Sequence, residues 1–244
     1  MQIKIYKDYQ ELSAQAADEI IELVKNKPGA VLCFASGSTP LLTCTLTAEK
    51  AIKENIDFNR VTFIGLDEWV AVPPQNDGSC YWFFQTHLLQ TLKIPASQIH
   101  LFNAMSSNLN EECSKMDEII LEKGGIDLMI VGIGMNGHIG FNEPGIPFDK
   151  RSHVISLDPV TLSVGKKYFK TPVTLNKGIT LGLQHLMESK KVLLMANGNI
   201  KADVIRRTIE ETVHPYFPAS IMQTHPQGVI KIDEEAASLL NKTN

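Results

Sequence analysis

Three continuously apolar runs constrain the fold of this chain more than any other feature of its 244 residues. They cover residues 29–35, 61–66 and 127–132. Apolar runs without polar alternation are typical of strands that are covered on both faces. Patterns with helical spacing lie between these runs, and such alternation is the signature of a parallel sheet in an α/β protein. The sequence therefore predicts an α/β fold in which residues 1–244 form one domain.

The remaining periodic segments extend this prediction to an open, Rossmann-like parallel sheet with helices on both faces. Helices are predicted at residues 9–25, 39–55, 80–92, 108–123, 160–168, 199–211 and 234–240. Further strands are predicted at residues 153–157, 178–182, 191–196 and 228–232, with short ones near Leu101 and at the alternating N-terminus. Ligands of open α/β sheets bind at the carboxyl ends of the strands. We therefore expect the chemistry after Phe34, Leu66 and Val131, where polar or glycine-rich segments follow buried strands.

Charge and cysteine content argue against several classes of partner. The net charge of −4 argues against a nucleic-acid or anionic-membrane surface, which would need a basic excess. The four cysteines form no CxxC pair, which favours reduced, buried thiols over disulfides or a zinc site. No apolar run approaches the roughly 18 residues of a membrane span, and the N-terminus lacks the apolar core of a signal peptide. We expect a cytoplasmic protein.

The first strand end has the composition of a phosphate-binding turn. Ser36, Gly37, Ser38 and Thr39 stand between the strand and a helix that Pro40 helps to start. Gly37 permits close backbone approach to a ligand, and the helix start offers free N–H groups and a positive dipole end. A plain turn with a serine or threonine cap explains the segment equally well.

The second strand end carries two adjacent acids, Asp67 and Glu68, followed by Trp69. Neighbouring side chains at a strand end diverge, so the two carboxylates should have different roles. Partial burial can raise the pKa of one of them towards that of a useful general base. An isolated pair of acids is more often a solvated loop or a cap, and a tryptophan there is more often part of the core.

The third strand end combines glycines with a titratable side chain. Residues 132–145 contain five glycines together with His138 and Glu143. So many glycines predict tight turns and close approach to a ligand. Histidine titrates near neutrality, and an acid five residues later could orient it, as in general acid–base sites. No metal-ligand spacing and no GxSxG elbow accompanies the histidine, so we expect neither a metal centre nor a serine hydrolase.

These three segments in this order resemble the glucosamine-6-phosphate deaminase/isomerase family, which is related to the 6-phosphogluconolactonases. The resemblance covers about residues 27–228, and its most specific parts are residues 36–40, 66–69 and 137–145. It implies an enzyme that opens the ring of an amino-sugar 6-phosphate, isomerises it and releases ammonia. It also implies that neither a metal nor an organic cofactor takes part.

The resemblance assigns the proton-transfer residues. Asp67 matches the base that moves a proton between C2 and C1, and His138 matches the residue that opens the pyranose ring. Glu143 matches the acid that supports this histidine. Asn136 stands where the best-known members carry an aspartate, so it can hydrogen-bond the ring but adds no charge. Glu68 and Gly137 are expected to border the substrate.

The resemblance also assigns the phosphate site. Residues 36–39 match the phosphate loop, and Lys201 matches a phosphate-binding lysine at the start of a late helix. Lys167 falls where the family has a phosphate-binding arginine; lysine keeps the charge but loses the bidentate fork. Residues 144–167 are the candidate lid over the substrate.

Several alternatives stay open at this point. Residues 27–31, 39–43 and 178–183, together with Trp69, look most like galactosamine-6-phosphate isomerases, whose substrate differs from glucosamine 6-phosphate only at C4. A 6-phosphogluconolactonase would use the same phosphate loop and a histidine that activates water. A non-catalytic sugar-phosphate sensor would need no carbon base. The sequence decides neither the physiological direction nor whether the protein is a monomer or a homo-oligomer.

Overall fold

Seven parallel strands form the main sheet of the computed structural model, which describes residues 1–241. The ten strands of both sheets are β1 (Gln2–Tyr6), β2 (Val31–Phe34), β3 (Thr62–Gly65), β4 (Asp67–Trp69), β5 (Ile99–His100), β6 (Leu128–Val131), β7 (His153–Ser156), β8 (Lys177–Thr180), β9 (Val192–Ala196) and β10 (Gly228–Asp233). The order in the main sheet is β1-β10-β9-β6-β2-β3-β5. The predicted apolar runs at 29–35, 61–66 and 127–132 are its neighbouring strands β2, β3 and β6.

Helices cover both faces of this sheet. They are α1 (Tyr9–Asn26), α2 (Ser38–Lys53), α3 (Cys80–Phe84), α4 (Gln90–Leu92), α5 (Leu109–Glu122), α6 (Pro159–Gly165), α7 (Leu183–Glu188) and α8 (Ala202–Glu210). A π-helical turn (Gln85–Leu89) joins α3 to α4, and a 3₁₀ turn (Lys166–Tyr168) continues α6. Among the described residues, no helix has the length and apolarity that crossing a membrane requires.

The alternation of side chains along β2 shows how the sheet divides the core. Leu32 and Phe34 pack into a cluster with the apolar faces of α1 and α2. Val31 and Cys33 point to the opposite side and pack into a cluster that includes α5 and α8. Each strand is therefore buried on both faces, as its unbroken apolar sequence requires. The predicted α/β fold with an open parallel sheet is confirmed.

A small antiparallel sheet stands beside the main one, in the order β4-β8-β7. The chain leaves the main sheet at the end of β3 and enters the small one at Asp67, which pairs with Thr180. Residues 153–157 and 178–182 contain strands as predicted, but β7 pairs with β8, and β8 with β4, instead of joining the parallel sheet. The strand β4 itself was not predicted.

One predicted helix is absent from the structure, and one helix of the structure lies where none is predicted. The helix predicted at 234–240 is wrong, because most of its hydrogen bonds span only three residues, such as Ser238 to Glu235 and Leu240 to Ala237. The segment therefore forms successive turns, and its start is fixed by Asp233, which accepts the Ala236 N–H. The helix α7 was not predicted, since its six residues are too few to show a helical period.

Candidate active site

A cavity of about 460 Å³ opens at the carboxyl ends of β2, β3 and β6. This is the edge at which the sequence places the chemistry. Eight of the predicted site residues line the cavity: Ser36, Gly37, Ser38, Thr39, Asp67, His138, Lys167 and Lys201. The other four, Glu68, Asn136, Gly137 and Glu143, do not line it. Among residues 1–241, no three His, Cys, Asp or Glu side chains are grouped as metal ligands.

The segment after β2 turns sharply into α2 at Gly37, which has a φ of 110°. An L-residue rarely adopts this conformation, so the turn requires glycine. No side chain caps the start of α2, which leaves its first N–H groups to a ligand of the cavity. The Tyr9 hydroxyl holds the turn from behind, at 2.8 Å from the Ser38 carbonyl oxygen. The arrangement suits an anion, whose charge also meets the positive end of a helix dipole.

Two lysines border the same cavity. The Lys201 ammonium donates to the Ile133 carbonyl oxygen at 2.6 Å. Burial, with a smaller effect from the charge of Lys167, lowers the pKa of Lys201 to about 8. The Lys167 ammonium lies 5.0 Å from the centre of the Tyr168 ring, within cation–π distance. The structure therefore brings both predicted lysines to the cavity that contains the turn at Gly37.

Asp67 is the first residue of β4, and its side chain reaches the cavity wall. Burial raises its pKa to about 7, and the neighbouring charge of Glu68 acts in the same direction. The Cys80 thiol donates to Oδ1 of Asp67 across 3.6 Å and offsets part of this rise. A carboxyl group with this pKa is protonated and deprotonated in comparable amounts near neutral pH, which suits a general base.

The carboxylate of Glu68 is bound by the backbone. It accepts three backbone N–H groups, from Trp69 and Cys80 at 2.9 Å and from Tyr81 at 2.8 Å. These bonds fix the start of α3 and direct the carboxylate away from the cavity. The expectation that Glu68 borders the substrate is therefore not met by its side chain, because its oxygens are occupied by the backbone.

His138 belongs to a hydrogen-bonded chain that ends at Glu143. The Asn136 amide N–H donates to Oε2 of Glu143 at 3.0 Å, so its Oδ1 is the atom that faces Nδ1 of His138, at 2.7 Å. An amide oxygen only accepts, which places the imidazole proton on Nδ1 and leaves Nε2 unprotonated. The Thr161 hydroxyl also lies 3.0 Å from Nδ1. Glu143 itself stands 3.6 Å from the same nitrogen.

The imidazole is neutral at physiological pH. Burial is the main cause that lowers the pKa of His138 to about 4, and the charge of Lys201 adds to it, while Asp158 acts in the opposite direction. A neutral ring with a free Nε2 can accept a proton from a ligand and return it. The polar chain behind the ring fixes which nitrogen does so.

Two glycines explain how the ring fits in this turn. A Cβ on Gly134 would overlap the imidazole of His138. Gly137 has a φ of 82°, and a Cβ there would overlap the Phe217 ring. Gly137 therefore shapes the turn and packs against Phe217. It does not line the cavity, in contrast to the expectation from the sequence.

The predicted lid covers part of the cavity. Of residues 144–167, only those in α6 and the turn after it line the cavity, and the lining continues to Tyr168. Gly165 of α6 lies against Trp69, so close that a Cβ on Gly165 would stand 2.5 Å from the indole ring. A Cβ on Gly37 would stand 3.2 Å from the Tyr168 hydroxyl, so this tyrosine lies over the turn before α2. We call residues 159–168 the strap.

Sequence reasoning missed three polar residues of the site: Cys80, Thr161 and Tyr168. Cys80 follows Ser79, whose hydroxyl caps α3, and nothing in this local pattern indicates that its thiol meets Asp67. Thr161 and Tyr168 belong to the strap, and their contacts depend on how the strap crosses the cavity. Only the lid prediction, which included Thr161, gave a signal for this region.

Comparison with known proteins finds relatives that all belong to one family. Residues 7–230 match the family model described as glucosamine-6-phosphate isomerases/6-phosphogluconolactonase. A glucosamine-6-phosphate deaminase of Thermoanaerobacter pseudethanolicus is 38% identical over 241 residues, covering 98% of this chain and 95% of the relative. A glucosamine-6-phosphate deaminase of Bacillus pumilus is 38% identical over 240 residues, covering 98% of this chain and 100% of the relative.

Solved structures agree with the fold. The structure of a monomeric glucosamine-6-phosphate deaminase superposes with a TM-score of 0.95 at 33% identity, covering 98% of this chain and 100% of the other. The 6-phosphogluconolactonase of Trypanosoma brucei superposes with a TM-score of 0.75 at 20% identity, covering 98% of each chain. At that identity the second likeness shows a shared fold.

Proposed function

Because the chain belongs to the family of glucosamine-6-phosphate isomerases and 6-phosphogluconolactonases, we propose that it converts an amino-sugar 6-phosphate into a ketose 6-phosphate and ammonia. One observation carries the proposal. A single cavity holds a carboxyl group with a pKa of about 7, a neutral imidazole with a free Nε2 and a positively charged site for an anion. The relatives at 38% identity that bear the name glucosamine-6-phosphate deaminase support the same reaction.

The substrate phosphate binds at the start of α2. The uncapped N–H groups after Gly37 face it, and the ammonium groups of Lys201 and Lys167 neutralise its charge. This contact is remote from the reacting carbons, so its binding free energy can position them against Asp67 and His138. The strap closes over the bound sugar and limits the access of water.

Ring opening uses His138. Nε2 accepts the proton of the C1 hydroxyl, the bond between C1 and the ring oxygen breaks, and the proton is returned to that oxygen. The chain through Asn136 to Glu143 keeps Nδ1 protonated and stabilises the transient positive charge of the ring. The product is the open-chain aldehyde.

Isomerisation and deamination use Asp67. Its carboxylate removes the proton from C2 while the aldehyde oxygen at C1 takes a proton from the C2 ammonium group, which gives an enol-type intermediate. The carboxylate then returns the C2 proton to C1. The carbon that bears nitrogen is then an iminium group, to which water adds and from which ammonia leaves. The products are the ketose 6-phosphate and ammonia, with one water consumed, and neither electrons nor a further reactant are needed.

We also propose galactosamine 6-phosphate as the preferred epimer. The support is the sequence pattern at residues 27–31, 39–43 and 178–183 and the tryptophan at position 69, which follows the two acids. Trp69 packs against the Phe141 ring at 4.6 Å between centres and supports the strap through Gly165. A change at this position would therefore alter the cavity close to the sugar.

The test is turnover of three substrates: glucosamine 6-phosphate, galactosamine 6-phosphate and 6-phosphogluconolactone, with released ammonia and lost lactone as readouts. A sugar deuterated at C2 should carry part of its label to C1, because one carboxylate removes and returns the proton. Ammonia from either amino sugar supports the reaction, and the ratio of kcat/KM values identifies the epimer. Loss of lactone without ammonia would replace the proposal with hydrolysis, and ligand binding without turnover would replace it with sensing.

A further inference from the structure

The thiol of Cys80 borders the cavity, and the mechanism above does not use it. Cys80 is the first residue of α3, next to Ser79, whose Oγ accepts the N–H of Trp82 at 3.0 Å. The N–H of Cys80 donates to Glu68 at 2.9 Å, and the residue is only 3% exposed. Both the backbone and the burial therefore hold the sulfur in one position.

Two polar contacts converge on this sulfur. The Ser36 hydroxyl donates to Sγ of Cys80 across 3.1 Å, and the thiol faces Oδ1 of Asp67 across 3.6 Å. Burial, together with the charges of Glu68 and Asp67, keeps the pKa of the thiol well above its ordinary value. The thiol therefore keeps its proton at neutral pH, and its S–H group can donate a hydrogen bond to the carboxylate.

The thiol is a weak hydrogen-bond donor, and this matters for the basicity of Asp67. Among residues 1–241, Cys80 is the one side chain that hydrogen-bonds this carboxylate. A strong donor would orient the carboxylate but would also stabilise its charge and lower its basicity. A thiol is a weak donor, so it orients the carboxylate at a small cost in basicity.

We propose that Cys80 is a positioning residue for the carbon base. Its S–H group directs one oxygen of Asp67, while its sulfur accepts the hydroxyl proton of Ser36 and so ties the base to the turn before α2. This inference rests on the proposed function, because it treats Asp67 as the group that moves the C2 proton.

The kinetic test compares Cys80→Ala and Cys80→Ser with the wild-type protein in the pH dependence of kcat/KM for ammonia release. Alanine removes the donor, so the acidic limb should move to higher pH by about half a unit and kcat should fall by roughly tenfold. Serine supplies a stronger donor, so the limb should stay in place or move to lower pH, with kcat within about threefold of wild type.

The control is Cys113→Ala, since Cys113 is also buried but lies on α5 away from the cavity. It should leave the acidic limb unchanged. An unchanged limb and kcat in Cys80→Ala would overturn the proposal. Equal losses in the alanine and serine variants would also overturn it, because they would indicate packing and not hydrogen bonding.

A second readout does not depend on turnover. The infrared S–H stretching band of Cys80, assigned by its loss in Cys80→Ala, should shift in Asp67→Asn because the charged acceptor has been removed. An unshifted band would refute the contact even if the enzyme releases ammonia. A shifted band together with no ammonia release by the wild-type protein would keep the contact and refute the proposed function.

Discussion

At the scale of single residues, the site separates two adjacent carboxylates by their hydrogen bonds. Glu68 accepts three backbone N–H groups, whereas Asp67 receives one weak donor and faces the cavity. The adjacent sequence positions predicted divergent side chains, and the structure shows which carboxylate is free to react. Of these two neighbouring residues, Glu68 has a structural role and Asp67 has a carboxylate that faces the cavity.

Replacing Asp67 with asparagine should lower kcat by about 10²–10⁴-fold, the range typical of a lost general base. The side chain keeps its size but can no longer remove a proton from C2. Steady-state ammonia release measures the loss, and circular dichroism checks the fold. Near-normal turnover by a folded Asp67→Asn protein would show that another group is the base.

The pH dependence of kcat/KM should be bell-shaped. Asp67 must be deprotonated to act, so activity should rise as pH increases through about 7. Lys201 must be charged to bind phosphate, and its pKa of about 8 predicts a fall at higher pH. Lys201→Arg should move the falling limb to higher pH, because a guanidinium keeps its charge. An unmoved falling limb in this variant would exclude Lys201 as its origin.

Replacing Gly134 with alanine should displace the imidazole of His138, because the new Cβ would overlap the ring. We expect a loss of kcat of at least about 10²-fold, comparable to the loss of a general acid–base group. The NMR signals of the His138 ring should shift as well. Gly29→Ala is the matched control, since its Cβ would meet only a carbonyl oxygen at 3.9 Å. An unchanged ring signal in Gly134→Ala would contradict the prediction.

At the scale of elements, the strap depends on a close contact between α6 and Trp69. The indole is held between Phe141 and Phe169, with ring centres at 4.6 Å and 6.0 Å, and so has little room to yield. Gly165 permits the contact because it has no Cβ. The position of the strap therefore follows from the aromatic cluster that Trp69 of β4 forms with Phe141 and Phe169.

Replacing Gly165 with alanine should lift the strap from the cavity. Lys167 and Tyr168 follow α6 in the chain, so we expect KM for the sugar phosphate to rise by roughly tenfold with a smaller change in kcat. Limited proteolysis should cleave the strap faster than in wild type. Ser163→Ala, an exposed change on the same helix, should alter neither readout. A KM equal to that of wild type would separate the strap from substrate binding.

The sequence predicted the elements better than their pairing. The strands β2, β3 and β6 are continuously apolar and could be recognised locally, and the glycines near His138 indicated its turn. The pairing of Asp67 with Thr180 joins distant parts of the chain, and three residues are too few to show a strand period. The contact of Cys80 with Asp67 depends on that tertiary arrangement, so no local pattern reveals it.

At the scale of the whole molecule, an ion-pair cluster joins α1 to the main sheet. The ammonium of Lys231, on β10, is fully buried and lies 2.9 Å from Glu19 of α1. Lys191 lies 2.6 Å from the same carboxylate. Burial raises the pKa of Glu19, but the hydrogen bond from Lys191 and the charges of Lys231 and Lys191 outweigh it and lower the pKa below its ordinary value. The cluster therefore stabilises the fold above the unfolded pKa of glutamate and loses this contribution as the pH falls.

Replacing Glu19 with glutamine should lower the free energy of unfolding by about 3–5 kcal/mol, because it leaves the charge of Lys231 buried and unpaired. Urea denaturation at neutral pH measures this difference. The matched control is Glu54→Gln, which breaks an exposed pair with Lys25 and should leave the free energy of unfolding nearly unchanged. The loss of stability in acid should also be smaller in Glu19→Gln. Equal effects of both variants would contradict the role of burial.

The strand pairings have a consequence for how the chain folds during its synthesis. β1 pairs with β10 alone, so residues 2–6 stay unpaired until residues 228–233 have been synthesised. Asp67 likewise acquires its place only when Thr180 has been translated, and Lys201 arrives later still. Such distant pairings are slow to form and leave apolar edges uncovered in the nascent chain. Assembly of the pocket therefore follows the synthesis of residues 177–201, which lie far along the chain from Asp67.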